Sequence, residues 1–190
     1  MAESASAAES TTPPTDGYIK TTTHNFISRQ AKLENVKQVA VQGRSIIHGG
    51  VTLRGDVGIV RLGRYVWMEP NTELEPAAMS LGGGRVAMAV GNHTRIGPNC
   101  RIQAAQIGSM VHIGENVKIG KRCMIKDCCI IDSNVILGDD TVVPPFTRIS
   151  YDGEDAFTLK LTELPPSMTV DMQEQAMDNY DTFASKQRAR

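Results

Sequence analysis

Aliphatic residues fall on a beat of six along most of this chain. From position 107 the first residues of successive six-residue units are Ile107, Ile113, Ile119, Ile125, Ile131, Leu137, Val143 and Ile149. Upstream, Val90 and Ile96 keep phase and Ile102 opens a unit one residue short. Val41, Ile47 and Leu53 hold the same interval, as do Leu62, Met68 and Leu74. Neither the 3.6-residue period of a helix nor the two-residue alternation of a strand produces this spacing. A constant long period marks a solenoid. A six-residue unit predicts one short strand plus a corner, with three units closing a triangular coil. Fifth positions (Thr94, Cys100, Val111, Val117, Cys123, Cys129, Val135, Thr141 and Thr147) are expected to point inward beside the aliphatic first positions. Gly, Asp or Pro at the second position suits a corner with unusual backbone angles. Hydrogen bonds would then run between coils, leaving sheet edges only at the two ends.

The pattern predicts an all-β fold, a single-stranded left-handed parallel β-helix over residues 18–150 with a C-terminal α-helix. Handedness comes from the known behaviour of such repeats, not from the period. Residues 75–89, Gly-rich and off the beat, predict a projecting loop, and residues 1–17 a disordered tail. Residues 151–190 predict a linker and a helix: Ser167 follows Pro165-Pro166 as an N-cap, and Met172, Ala176, Tyr180 and Phe183 share one helical face. The sixth positions, normally solvent-facing, change character along the chain. Arg95, Arg101, His112 and Lys118 give way to Met124, Ile130, Ile136 and Val142. The outer surface of the last coils should therefore be covered, either by the C-terminal helix or by a partner protein.

Composition narrows the function. The 190 residues are 41% hydrophobic but only 5% aromatic, so the core must be built from Val, Ile, Leu and small residues. A net charge of −1 gives no general attraction to nucleic acid or an anionic membrane. No apolar run is long enough for direct membrane insertion, and the N-terminal stretch lacks the features of a signal or transit peptide. A soluble intracellular protein is expected. Cys100, Cys123 and Cys129 occupy inward slots on three different faces, and Cys128 should point outward; all four are expected to be structural thiols. His24 and His48 are expected on the surface, and His93 and His112 outward on different faces. The "GGGR" at 82–85 lacks the flanking strand and helix of a phosphate loop.

The stretch "LRGDVGIVRLGRYVWMEPNTELEP" (53–76) resembles the γ-carbonic-anhydrase superfamily of hexapeptide-repeat proteins. That resemblance implies a role in packing between subunits for Arg54 and Asp56. The superfamily's metal-binding histidines would fall near Glu75, Pro98 and Gln103, and none of these is His, so neither a metal nor another cofactor is expected, and no catalytic residue. The run "QAAQIGSMVHIGENVKIG" (103–120), with "KDCC", "TVVPPFT", "ISRQ" and "LRGD", is similar more specifically to the dynactin subunit 5 family, over about residues 18 to 180. This resemblance implies a non-enzymatic subunit of dynactin's pointed-end complex in the cytoplasm and cytoskeleton. Its implied partners are the β-helix dynactin subunit 6, the actin-related pointed-end capping subunit, the zinc-bearing dynactin subunit and dynein cargo adaptors. The candidate partner-contacting residues are Arg54, Asp56, Met124, Ile130, Ile136 and Val142. The alternative is a hexapeptide-repeat enzyme, an acyltransferase or a carbonic-anhydrase-like protein.

Overall fold

A computed structural model of the protein describes residues 17–77, 87–152 and 155–189. The expected tail at 1–17 lies outside these residues except for Gly17, and so does most of the expected loop. Three walls of stacked short strands form a prism. Wall I contains Phe26–Ser28, Ile46–Ile47, Trp67–Met68, Arg95–Ile96, His112–Ile113, Ile130–Ile131 and Thr147–Asp152. Wall II contains Lys32–Glu34, Thr52–Arg54, Glu73–Leu74, Arg101–Ile102, Lys118–Ile119 and Ile136–Leu137. Wall III contains Val39–Gly43, Ile59–Arg64, Ala87–Val90, Gln106–Ile107, Met124–Ile125 and Val142–Val143. All these strands pair in parallel with the coil above and below, with first positions in register, as in Ile96↔Ile113 and Ile102↔Ile119.

The aliphatic beat is the lining of the prism. Ile107, Ile113, Ile119, Ile125, Ile131, Leu137, Val143 and Ile149 are buried in one continuous core with Leu53, Leu62, Met68 and Leu74. Each such side chain contributes on the order of 1.5–3 kcal/mol by leaving water. The fifth slot does more than fill space. Thr72 Oγ1 donates to the Gly97 carbonyl at 2.7 Å and Thr94 Oγ1 to Gly108 at 3.0 Å. Cys100, Cys123 and Cys129 make the same bond, to Gly114 at 3.1 Å, Gly138 at 3.0 Å and Pro144 at 3.1 Å. These hydroxyls and thiols thus tie one coil to the next, whereas Thr141 and Thr147 in the last coil bond carbonyls of their own coil, Gly138 at 2.7 Å and Pro145 at 3.2 Å.

The corner geometry differs from the expectation drawn from the second position. Left-handed backbone angles occur at fourth positions instead: Arg44, Tyr65, Asn71, His93, Asn99, Met110, Asn116, Arg122, Cys128, Asn134, Asp140 and Phe146 all have φ between 51° and 65°. Glycine at the second position serves close stacking. A Cβ on Gly108 would lie 2.4 Å from Asp127 Oδ1, the same oxygen that accepts the Ser109 amide at 2.7 Å. Ser133 and Asp139 accept the amides of Glu115 and Lys121 in the same way.

Wall I is extended at both ends by an antiparallel strand, Tyr18–Lys20 on Phe26–Ser28 and Asp155–Glu163 on Thr147–Asp152. The second of these lies where a linker was expected. Residues 87–89, assigned to the projecting loop by the sequence, belong to the wall III strand Ala87–Val90, paired with Ile59–Arg64 and Gln106–Ile107. Helix α1, Met168–Arg188, begins after Ser167 as expected, although the Ser167 side chain makes no capping hydrogen bond.

Candidate assembly interface

Arg54 and Asp56 lie at the edge of wall II and bind each other through two hydrogen bonds of 2.9 Å. The Arg54 guanidinium also lies 3.7 Å from Glu73, which in turn lies 3.8 Å from Arg101. Arg101 and Gln103 both donate to Glu75 Oε2, at 2.9 and 3.0 Å. The register causes this convergence, since Glu73 stacks between Thr52 and Arg101 on consecutive coils. The contact with Arg101 holds the Glu75 carboxyl below its ordinary range, opposed by partial burial. The bond from Arg54 does the same for Asp56. Two of the three positions matched to the superfamily's metal ligands, Glu75 and Gln103, thus do meet, but as a carboxylate and a carboxamide bonded to each other. Pro98 lines a separate groove on wall I. Among the described residues no three His, Cys, Asp or Glu side chains converge as a metal site would require.

The apolar sixth positions are spread over three walls. Met124 and Val142 are stacked neighbours on wall III, Ile130 lies on wall I and Ile136 on wall II. Val142 and Ile136 are 59% and 56% exposed, whereas Met124 and Ile130 are half-buried. Ile136–Leu137 and Val142–Val143 are the terminal strands of walls II and III, unlike wall I with its antiparallel cover. Among the described residues no strand covers these two edges, although the Ile136 amide donates to the Tyr151 hydroxyl at 3.2 Å, and the last coil also presents two exposed branched side chains.

Helix α1 does not cover that surface. It starts beside the late coils, where the Thr169 side chain bonds the Cys128 thiol, and returns along the corner between walls III and I. Ala176 and Tyr180 lie against Arg44, Ile46, Tyr65 and Trp67. Tyr180 donates its hydroxyl to the His24 carbonyl at 2.7 Å. Phe183 packs on Tyr18, Phe26, His48 and Trp67 with ring centroids 4.9–5.9 Å apart. The cause is visible in the fourth positions. Along the corner between walls I and II they are Asn71, Asn99, Asn116 and Asn134. Along the corner that α1 follows they are His24, Arg44, Tyr65, His93, Met110, Cys128 and Phe146, a ridge of larger side chains.

This helix bears on two sequence expectations. Cys128 points outward from the prism as expected but is buried, because it lies on the ridge that α1 covers. His48 is part of the aromatic cluster, bonded through Nδ1 to the Tyr18 hydroxyl at 2.6 Å, rather than free on the surface. His93 stacks on Tyr65 at 5.1 Å, and burial lowers its pKa. His112 lies in the wall I groove of about 410 Å³ with Glu69, Arg95, Glu115, Ile130 and Asp132, and burial and then the Arg95 charge lower its pKa.

The sequence profile of the dynactin subunit 5 family matches residues 14–185 of the chain. The chain belongs to the dynactin subunit 5 family. A curated relative, dynactin subunit 5 of Dictyostelium discoideum, is 38% identical over 94 residues. The match spans about half of each protein, 48% of this chain and 48% of the relative. Among solved structures, a hexapeptide transferase family protein from Anaplasma phagocytophilum has a similar fold, with TM-score 0.62, 14% identity, and 84% of this chain and 93% of that one covered. The N-acyltransferase AntD from Bacillus cereus, solved with dTDP and 3-hydroxybutyryl-CoA, is similar at TM-score 0.62 and 12% identity, with 83% and 88% covered. These likenesses identify the fold as the left-handed β-helix of hexapeptide-repeat proteins. The family membership also accords with the residues that suggested it, from "ISRQ" through "TVVPPFT".

Proposed function

We propose that this protein is a non-catalytic structural subunit of the dynactin pointed-end complex, working in the cytoplasm and on the cytoskeleton. In this reading it pairs with another β-helix, dynactin subunit 6, and contacts the actin-related capping subunit and the zinc-bearing subunit. Through the assembled complex it supports engagement of dynein with cargo adaptors, including those on endosomes. The observation that carries the reading is the family match over residues 14–185. Two features support a docking role: among the described residues the last coil has terminal strands on walls II and III that no strand covers, with Ile136 and Val142 exposed on them, and wall II offers a ready charge array around Arg54, Asp56, Glu73 and Arg101. Unpaired strand edges invite pairing with another chain, and charge arrays set partner choice and on-rate.

Co-purification tests this directly. Arg54→Glu replaces a cation that Asp56 and Glu73 both contact with a third carboxylate. It is expected to weaken recovery of the partner β-helix while circular dichroism and melting of the isolated chain stay near wild type. Unchanged recovery would remove Arg54 from the interface, and failure to recover any dynactin subunit with the wild-type chain would end the assembly reading. The rival reading, an acyltransferase using His112 in the wall I groove, predicts turnover of acyl-CoA and a threefold homotrimer.

A further inference from the structure

The arginines of the prism differ in their partners. Arg54, Arg95, Arg101, Arg122 and Arg148 each contact a carboxylate within 4 Å. Arg44 and Arg64 have no such partner among the described residues, and both line one cavity of about 360 Å³ where wall III turns into wall I. Thr23, Gln42, Gly43 and Tyr65 complete the lining, and none of them is acidic. The fold holds the two cations together. Gly43 and Arg64 are register partners on adjacent coils, and Arg44 follows Gly43 at the corner. Arg44 is oriented by its hydrogen bond to the Tyr65 hydroxyl and lies over the Tyr65 ring, 5.7 Å from its centroid. The Tyr65 oxygen accepts that bond, which leaves its own proton available to donate. The Asn92 side chain fixes the backbone of Arg64 by accepting its amide at 2.8 Å. Asp181 of α1 acts on Arg44 electrostatically from beyond ion-pair distance.

We propose that this notch is a binding site for a phosphate monoester carried on a polypeptide, a phosphoserine or phosphothreonine side chain. Two guanidiniums, a phenolic proton and the Gln42 carboxamide offer more donors than one carboxylate can accept, and they suit the three terminal oxygens of a phosphoryl group. A polypeptide is favoured over a lipid headgroup because the notch is confined to one corner of a chain with net charge −1, whereas membrane recruitment draws on clusters of several cations. The site needs no assembly partner and stands apart from the pairing proposed above.

Amide chemical-shift titration of the full chain with N-acetyl-O-phosphoserine amide tests it, with N-acetylserine amide as the control. Saturable shifts centred on Gly43, Arg44, Arg64 and Tyr65 are expected for the phosphorylated probe alone. Arg64→Gln should weaken binding by about tenfold, the scale of one lost charge-assisted contact, with an unchanged spectrum elsewhere. Arg122→Gln, which removes an arginine already paired with Asp140, should leave binding unchanged. Equal shifts with both probes, or equal affinity in Arg64→Gln, would overturn the proposal. So would tighter binding to vesicles containing phosphatidylinositol 4-phosphate than to the phosphoserine probe, which would assign the notch to a lipid.

Discussion

At the scale of single residues, the fourth position of each repeat carries the conformational cost of the fold. An L-residue in the left-handed region costs roughly 1–2 kcal/mol, least for Asn, Asp and Gly. Asn134, at φ 65°, lies outside the core and its side chain accepts one 3.3 Å hydrogen bond from the Asn116 carboxamide; two substitutions that both remove this bond isolate the backbone term by their difference. Asn134→Val should lower stability to urea by about 1–2 kcal/mol more than Asn134→Gly does. The thiols give a second prediction. Burial pushes Cys100 up to about 11 from an ordinary 9.0, and raises Cys123, Cys128 and Cys129 as well. Below about 9 these groups are neutral in both folded and unfolded chains and cost nothing. As pH climbs from 9.0 toward about 11 the unfolded chain ionises first, so stability falls over that window. Urea midpoints measured across it should drop, and replacing Cys100 with Thr, the residue that makes the same bond at position 94, should soften the drop.

At the scale of elements, the strands were legible and the helix contacts were not. A strand pointing one aliphatic residue inward per unit leaves its period in the sequence, which is why Ile107 to Ile149 located the walls. The start of α1 after Pro165-Pro166 and its buried face through Met172 and Tyr180 were legible for the same reason. Where that face docks was not, because the apolar residues Met124, Ile130, Ile136 and Val142 follow one another in sequence although successive units lie on different walls. The informative signal was the fourth position of every third unit, large at Tyr65, His93 and Met110 and Asn on the neighbouring corner. Likewise the strand Asp155–Glu163 has no six-residue beat, since it only lies antiparallel along one edge. In the candidate site, the motif points to Arg54 and Asp56, but the wider array through Glu73, Arg101 and Glu75 depends on stacking across coils. Tyr180 tests the helix docking. Tyr180→Phe removes its bond to the His24 carbonyl and should cost about 1 kcal/mol. A hydrogen-exchange measurement should locate the loss of protection in α1 and the first coil.

At the scale of the whole molecule, the two ends of the prism are unlike. On its wall I side the first coil packs against α1 through the aromatic cluster of Phe26, Trp67 and Phe183, while the last coil keeps Ile136 and Val142 in solvent. Stability and association should therefore separate by location. Ile136→Glu is expected to leave the melting temperature of the isolated chain within about 2 °C, as exposed substitutions usually do, and to reduce association of the last coil with a partner in pull-down. A large fall in melting temperature would show instead that Ile136 supports the coil itself. The return of α1 also has a mechanical consequence. Because Tyr18 and Phe183 touch, with ring centroids 4.9 Å apart, the described chain leaves the prism beside the place where it begins. Tension applied between those two points would peel α1 away as a zip opens, and the stacked coils would stay wound, outside the line of force.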